Sequence, residues 1–233
     1  MDRQIKGLLY FFVADSKRSF MIFWAILVAS LVGTIVITYV LLDVGEVNMN
    51  FSLTFAMAIY CSIFGFITVK ESIPFSIKMG ATRKNYFISL GIFFMGLAFV
   101  KALLANIIQE VVLLLTNQLS FDTFGFLYLA LLVDDTWINR VIIDSITMFF
   151  FLTVMYGVGL LFYKYGLAGG GIFISVLFAG LLIVFTGGYL TDFVIEIVEN
   201  LSLVFFYQLA GITIFLYGIT WLLIRNITVG IKK

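Results

Sequence analysis

Residues 19–42 read SFMIFWAILVASLVGTIVITYVLL, 24 positions without a single Asp, Glu, Lys or Arg. A bilayer core of about 30 Å needs about 20 consecutive apolar residues in a helix. Inside hydrocarbon only a helix or a closed barrel satisfies its own backbone polar groups. A run this long and this apolar therefore predicts a membrane-spanning helix. Four more uncharged runs follow, at 51–69, 145–163, 165–191 and 200–224, and a further run, 85–115, is interrupted only by Lys101 and Glu110. With 63% hydrophobic and 12% charged residues among 233, the chain carries about half the charge a soluble surface requires. The expected fold is an all-α integral membrane protein of six transmembrane helices over 19–225, with a short cytoplasmic tail at 226–233.

Ahead of the first span, Ile5, Leu8, Leu9, Phe12 and Val13 recur at helical spacing and are flanked by Arg3, Lys6, Lys17 and Arg18. This pattern predicts an amphipathic interfacial helix over 1–18. No small-x-small site follows the first span, so no cleaved leader is expected. If both termini lie inside, only Lys101 and Arg140 of the 14 basic residues fall outside the cytoplasmic segments. The outer connections then hold Asp43, Glu46, Asp122, Asp134, Asp135, Asp192, Glu196 and Glu199. The positive-inside rule selects this orientation in a cell membrane. Residues 124–133, FGFLYLALLV, are too few to span and are expected as an outer interfacial or re-entrant piece, and residues 192–201 are expected at the same surface.

Several chemistries lack their residues. With no histidine, haem ligation by His pairs, zinc proteolysis and Ser–His hydrolysis are excluded. Cys61 is the single cysteine, so no intrachain disulfide or dithiol couple forms, and its place within a span suggests packing. The chain has no P-loop motif and would not bind ATP by one. Its basic residues follow the membrane rule rather than a nucleic-acid footprint. Paired carboxylates, Glu110 and Asp144, are all that remains for catalysis, and both lie near the outer ends of their spans. No metal or cofactor is implied on this chain.

Two regions keep polar residues where a plain span or connector would not. One is the first cytoplasmic loop, KESIPFSIKMGATRKNYF at 70–87, with Lys70, Glu71, Lys78, Arg83 and Lys84. Pro74 suits the first turn of a short helix, Gly80 a helix C-cap and Thr82 the N-cap of the third span. Phe75, Ile77 and Met79 would then be apolar contacts on a cytoplasmic helix fit for a partner's groove. Arg83 and Lys84 also serve as topology determinants and lipid anchors. The other region is the third span. Lys101, near mid-bilayer, costs about 2.5–3.5 kcal/mol if unpaired. It is expected to face protein or water, lining a path or paired, with Asp144 as one candidate partner. Asn106, Gln109 and Glu110 form a polar arc beside it. In the fifth span, Gly166 and Gly170 have the small-xxx-small spacing that serves close helix packing or local bending. The aromatic residues are expected mostly as lipid-facing bulk.

The order of elements, from amphipathic helix through six spans with a cytoplasmic helix between the second and third, resembles small bacterial ABC-2-type transporter permeases. The stretch GATRKNYF, residues 80–87, is similar to the glycine–x–Ser/Thr–Arg–Lys–x–aromatic pattern that opens the third span in that family. Within it the chain looks most like permeases of peptide-toxin export or self-immunity, such as phenol-soluble-modulin exporters. The resemblance implies two permease chains, identical or related, paired with two copies of a cytoplasmic ABC ATPase that holds the ATP and magnesium. It further implies a coupling interface at Glu71, Pro74, Phe75, Lys78, Met79, Arg83 and Lys84. The cargo would be hydrophobic or amphipathic, with peptides foremost. Residues 116–140 are long for this pattern, so no role carries over to them. Two other readings remain: a standalone carrier or channel using Lys101, Asn106, Gln109, Glu110 and Asp144, and a membrane immunity or sensor protein that binds a toxic peptide.

Overall fold

A computed structural model of the chain describes residues 2–41, 49–118, 124–133, 135–186, 201–225 and 227. The outer acidic residues Asp43, Glu46, Asp122, Asp134, Asp192, Glu196 and Glu199, the segment 192–200 and the basic residues Lys232 and Lys233 lie outside the described residues. Five α-helices account for nearly all of the rest: α1 (Asp2–Leu41), α2 (Leu53–Lys78), α3 (Arg83–Gln118), α4 (Trp137–Thr186) and α5 (Leu203–Arg225). All five are long and apolar enough to cross a membrane. Many hydroxyl side chains inside them are satisfied locally, although Ser76, Thr147 and Thr153 are buried without a partner among the described residues. Thr34, Thr38, Ser62, Thr68, Ser89 and Thr213 each donate to the carbonyl four residues earlier, as hydrocarbon demands.

Three expected boundaries are absent. Residues 2–18 do not form a helix of their own, because α1 continues through Arg18 as one helix of 40 residues. No Pro or Gly stands near position 18 to stop it, and Leu8 and Phe12 of the expected amphipathic face are buried in the bundle core. Pro74 does not open a new helix either; it lies inside α2, whose last turns carry the residues expected in a separate cytoplasmic helix. Finally, the fourth and fifth expected spans run together in α4, which is interrupted at Gly166 (φ 73°, ψ −176°). A backbone there is open to glycine alone. An added Cβ at Gly170 would stand 2.5 Å from the Phe162 ring, eight residues back. In a continuous helix these positions would be about 12 Å apart along the axis, so the chain bends sharply at Gly166.

The core lies between α2, α3 and the first part of α4. Met57, Cys61 and Val69 on α2, Leu90, Phe94 and Ala98 on α3, and Met148, Leu152, Tyr156 and Leu160 on α4 are all at most 1% exposed. The most extensive helix contact is α2 with α4. Glycines permit it: an added Cβ at Gly65 would lie 2.5 Å from the Leu152 carbonyl oxygen, and one at Gly159 2.8 Å from the Phe66 carbonyl oxygen. Close backbone approach through small residues is the usual way membrane helices bind one another. The aromatic residues are less peripheral than expected. Tyr86, Tyr156 and Tyr217 are buried, with Tyr86 hydrogen-bonded to Ser72 (2.7 Å) and the Tyr217 hydroxyl donating to the Phe87 carbonyl (2.7 Å).

At the end of the bundle where α2 begins, strands β1 (Met49–Phe51) and β2 (Phe124–Phe126) pair in parallel, Met49 opposite Phe124. A short 3-10 helix, Leu129–Leu132, follows and buries Ala130 against Ile143 and Phe206. Residues 124–133 thus do not span; they cap the bundle.

Candidate functional site

The turn between α2 and α3 follows from its residues. Gly80 takes φ 77°, its N–H bonds the Ile77 carbonyl and the Ala81 N–H bonds the Ser76 carbonyl, each at 3.0 Å. These two bonds form a Schellman stop, which wants glycine at its left-handed position. Thr82 then caps α3 by accepting from the Asn85 N–H at 3.3 Å. This pins the end of α2 in a fixed attitude. Ser72, Ile73 and Ser76 face the bundle, while Glu71, Phe75, Lys78, Met79, Arg83 and Lys84 are exposed. Met79 is 66% exposed, and Phe75 is 40% exposed with its other ring face stacked on Phe11 at 4.0 Å between centroids. Arg83 has a second task, its guanidinium donating to the Arg225 carbonyl at the end of α5. Of the seven expected coupling residues, Glu71, Pro74, Phe75 and Lys78 lie in the last turns of α2, Met79 caps it, and Arg83 and Lys84 open α3. Pro74 lies inside the helix, and Arg83 is tied to α5.

The intramembrane residues divide differently from expectation. Lys101 is fully buried, and its Nζ has no hydrogen-bond partner among the described residues. It stands over three rings, at 3.5 Å from the centroid of Tyr60, 4.2 Å from Phe23 and 5.1 Å from Phe20. A desolvated cation–π contact contributes about 2 kcal/mol, so three rings offset most of the roughly 2.5–3.5 kcal/mol that insertion costs. Lys101 does not pair with Asp144. Its counterpart is an aromatic cage from α1 and α2, held in part by Ser19, whose hydroxyl is 3.1 Å from that of Tyr60.

Asp144, 3% exposed on α4, accepts from the Thr54 hydroxyl of α2 and the Asn106 amide of α3, each at 3.0 Å. Asn106 also donates to the Ala102 carbonyl at 2.8 Å, which fixes its amide. Gln109 is buried nearby in sequence with its Nε2 unpartnered. Glu110 leaves the arc: it is exposed and pairs with Arg140 at 3.2 Å. Arg140 also grips Asp135 through two bonds, 2.5 and 2.8 Å, and lies over the Tyr128 ring at 4.6 Å. The Tyr128 hydroxyl donates to Asp135 at 2.7 Å. Hydrogen bonds from Arg140 hold the Asp135 carboxyl below its ordinary value against the opposing effect of burial, and burial pushes the Tyr128 phenol up to about 12. Sequence reasoning missed Thr54, the three cage rings, and the clasp of Arg140 with Asp135 and Tyr128. A hydroxyl in the first turn of an apolar helix carries no signal by itself.

Comparison of the chain with protein-family models, with curated proteins and with solved structures finds no match in any of the three.

Proposed function

We propose that this chain is the membrane-spanning permease subunit of an ABC-2-type exporter. A separate cytoplasmic ATPase supplies the energy, and the cargo is hydrophobic or amphipathic, with peptides foremost. The observation that supports this most directly is the end of α2. A helix stopped by Gly80 presents Phe75, Lys78 and Met79 outside the bundle, beside Lys84 at the start of α3. Exposed apolar side chains among charges on a rigid helix end suit a partner's groove. The charge distribution puts that end, and both termini, on the cytoplasmic side of a bacterial cell membrane. Counting α4 as two spans on either side of Gly166 gives the six of the proposed permease. A second permease chain completes the unit. The α4 residues beyond the break, exposed from Ile172 to Gly180, are available to lipid or to that chain.

The test is to seek a co-purifying ATPase in detergent pull-downs of this chain, with ATP hydrolysis measured in parallel. Met79→Asp places a charge where an apolar contact is expected and disturbs nothing buried. Phe75→Asp does the same and also breaks the stack on Phe11. Burying one such side chain contributes about 1.5–3 kcal/mol, against about 8 kcal/mol for a micromolar complex. Both variants are expected to release most of the ATPase, and Lys84→Gln little of it. Full retention by Met79→Asp and Phe75→Asp would refute the coupling role. Transport that persists without any ATPase would instead favour a standalone carrier.

A further inference from the structure

We propose that Asp144 is a proton-binding site reached from the outer face of the membrane through the Thr54 hydroxyl. Three observations carry this, none of which depends on the ATPase. First, the carboxylate is buried between α2, α3 and α4 and is held only by neutral donors, Thr54 and Asn106. A buried carboxylate with no cation bonded to it is stabilised by taking up a proton, and here the Arg140 charge one turn away opposes this only from a distance. Secondly, the cations near it in the chain are committed elsewhere. Arg140, one turn earlier on α4, is bound to Asp135 and Glu110, and Lys101 on α3 sits in its aromatic cage. The other titratable groups on the elements packed here are Glu110, which is exposed, and Tyr128, bound to Asp135. On α2 the nearest is Tyr60, about two turns away and joined to Ser19, and on α5 Tyr207 is exposed.

Thirdly, the Thr54 hydroxyl stands between Asp144 and the protein surface, because Thr54 also lines a mostly apolar groove of about 640 Å³ beside residues 124–133, with Phe55 and Leu131 on its walls. A threonine hydroxyl both donates and accepts. When Asp144 is ionised, Thr54 donates to it; when Asp144 is protonated, the rotated hydroxyl accepts the new O–H. The Asn106 amide donates to the other carboxyl oxygen in both states. Both charge states therefore fit the same packing, as a reversible proton site requires.

The experiment is infrared difference spectroscopy on the full chain in lipid bilayers, titrated from acid to neutral pH. The expected result is a protonated-carboxyl C=O band that disappears on raising the pH and is missing in Asp144→Asn. Thr54→Val removes a donor to the ionised form, so it is expected to move the loss of that band to higher pH. Glu110→Gln is expected to leave it in place. A spectrum in which Asp144→Asn removes no titrating band would overturn the proposal. So would an unshifted band in Thr54→Val. Loss of the band on adding sodium or potassium at constant pH would show that the site takes a metal cation and not a proton, which also overturns it.

Discussion

Replacing Gly65 by alanine tests the contact that holds α2 against α4. The new methyl carbon would lie 2.5 Å from the Leu152 carbonyl oxygen and 3.2 Å from both the carbonyl carbon and Cα of that residue. All three are backbone atoms, so no side chain can rotate away. Restoring ordinary contact at about 3.5 Å requires the two helices to part by about 1 Å at their tightest point. Overpacking of this kind costs about 1–3 kcal/mol. Against it stands the gain of about 0.5–1 kcal/mol from replacing a helical glycine by alanine. The net expectation is a loss of roughly 1–2 kcal/mol. At Gly159 the added carbon meets the Phe66 carbonyl oxygen at 2.8 Å and the Val69 side chain at 2.9 Å, so Gly159→Ala should lose a similar amount. One separation relieves both clashes, so the double variant should lose less than the sum of the two. Gly96→Ala is the control: nothing lies within 4 Å of its added Cβ, so it should be neutral or slightly stabilising. The assay is equilibrium unfolding in mixed micelles by a denaturing detergent, followed by tryptophan fluorescence. If Gly65→Ala matched Gly96→Ala, the close crossing of α2 and α4 would be refuted. The fixed attitude of the exposed end of α2 would then lose its support as well.

Lys101→Met removes the cage's cation and the cost of burying it together, so stability should change by less than about 1 kcal/mol while transport falls; unchanged transport at normal expression would leave Lys101 a structural residue. Acid should loosen the outer cap. Because Arg140 holds Asp135 below its ordinary value, the stabilisation is complete above the ordinary carboxylate range and is lost as pH falls through the depressed one. For so exposed a pair the effect is about 0–1 kcal/mol, seen as faster hydrogen exchange over 124–133 at low pH, and Arg140→Gln should abolish that pH dependence. Orientation is checked by single cysteines in a chain lacking Cys61: one at Gln118 should react with an impermeant maleimide added outside, and one at Met79 should not. Both positions are exposed, whereas Ser76 in the last turn of α2 is fully buried and would be silent on either side.

Residues 19–42 and the later apolar runs determined by themselves that the chain is helical, with helices long and apolar enough to cross a membrane, because hydropathy and run length are sums along the chain. The Gly80 stop and the Thr82 cap were legible for a related reason: capping depends on a few consecutive residues and on the φ that glycine alone takes freely. The need for Lys101 to find a partner was equally plain from the cost of a charge in hydrocarbon. Which partner it finds was not. Helices as apolar as α1 and α4 show no polar face to mark their inward side, so the rotation of one helix against the next is set only when they pack. That rotation gave Lys101 three rings of α1 and α2, and gave Asp144 to Thr54 and Asn106 instead. The glycines follow the same division. Spacing singled out Gly166 and Gly170 for close packing or local bending, and the bend of α4 does use Gly166 for its positive φ and seats Phe162 against Gly170. The tight helix crossing falls at Gly65 and Gly159, on two different helices, where no pattern within one segment could place it.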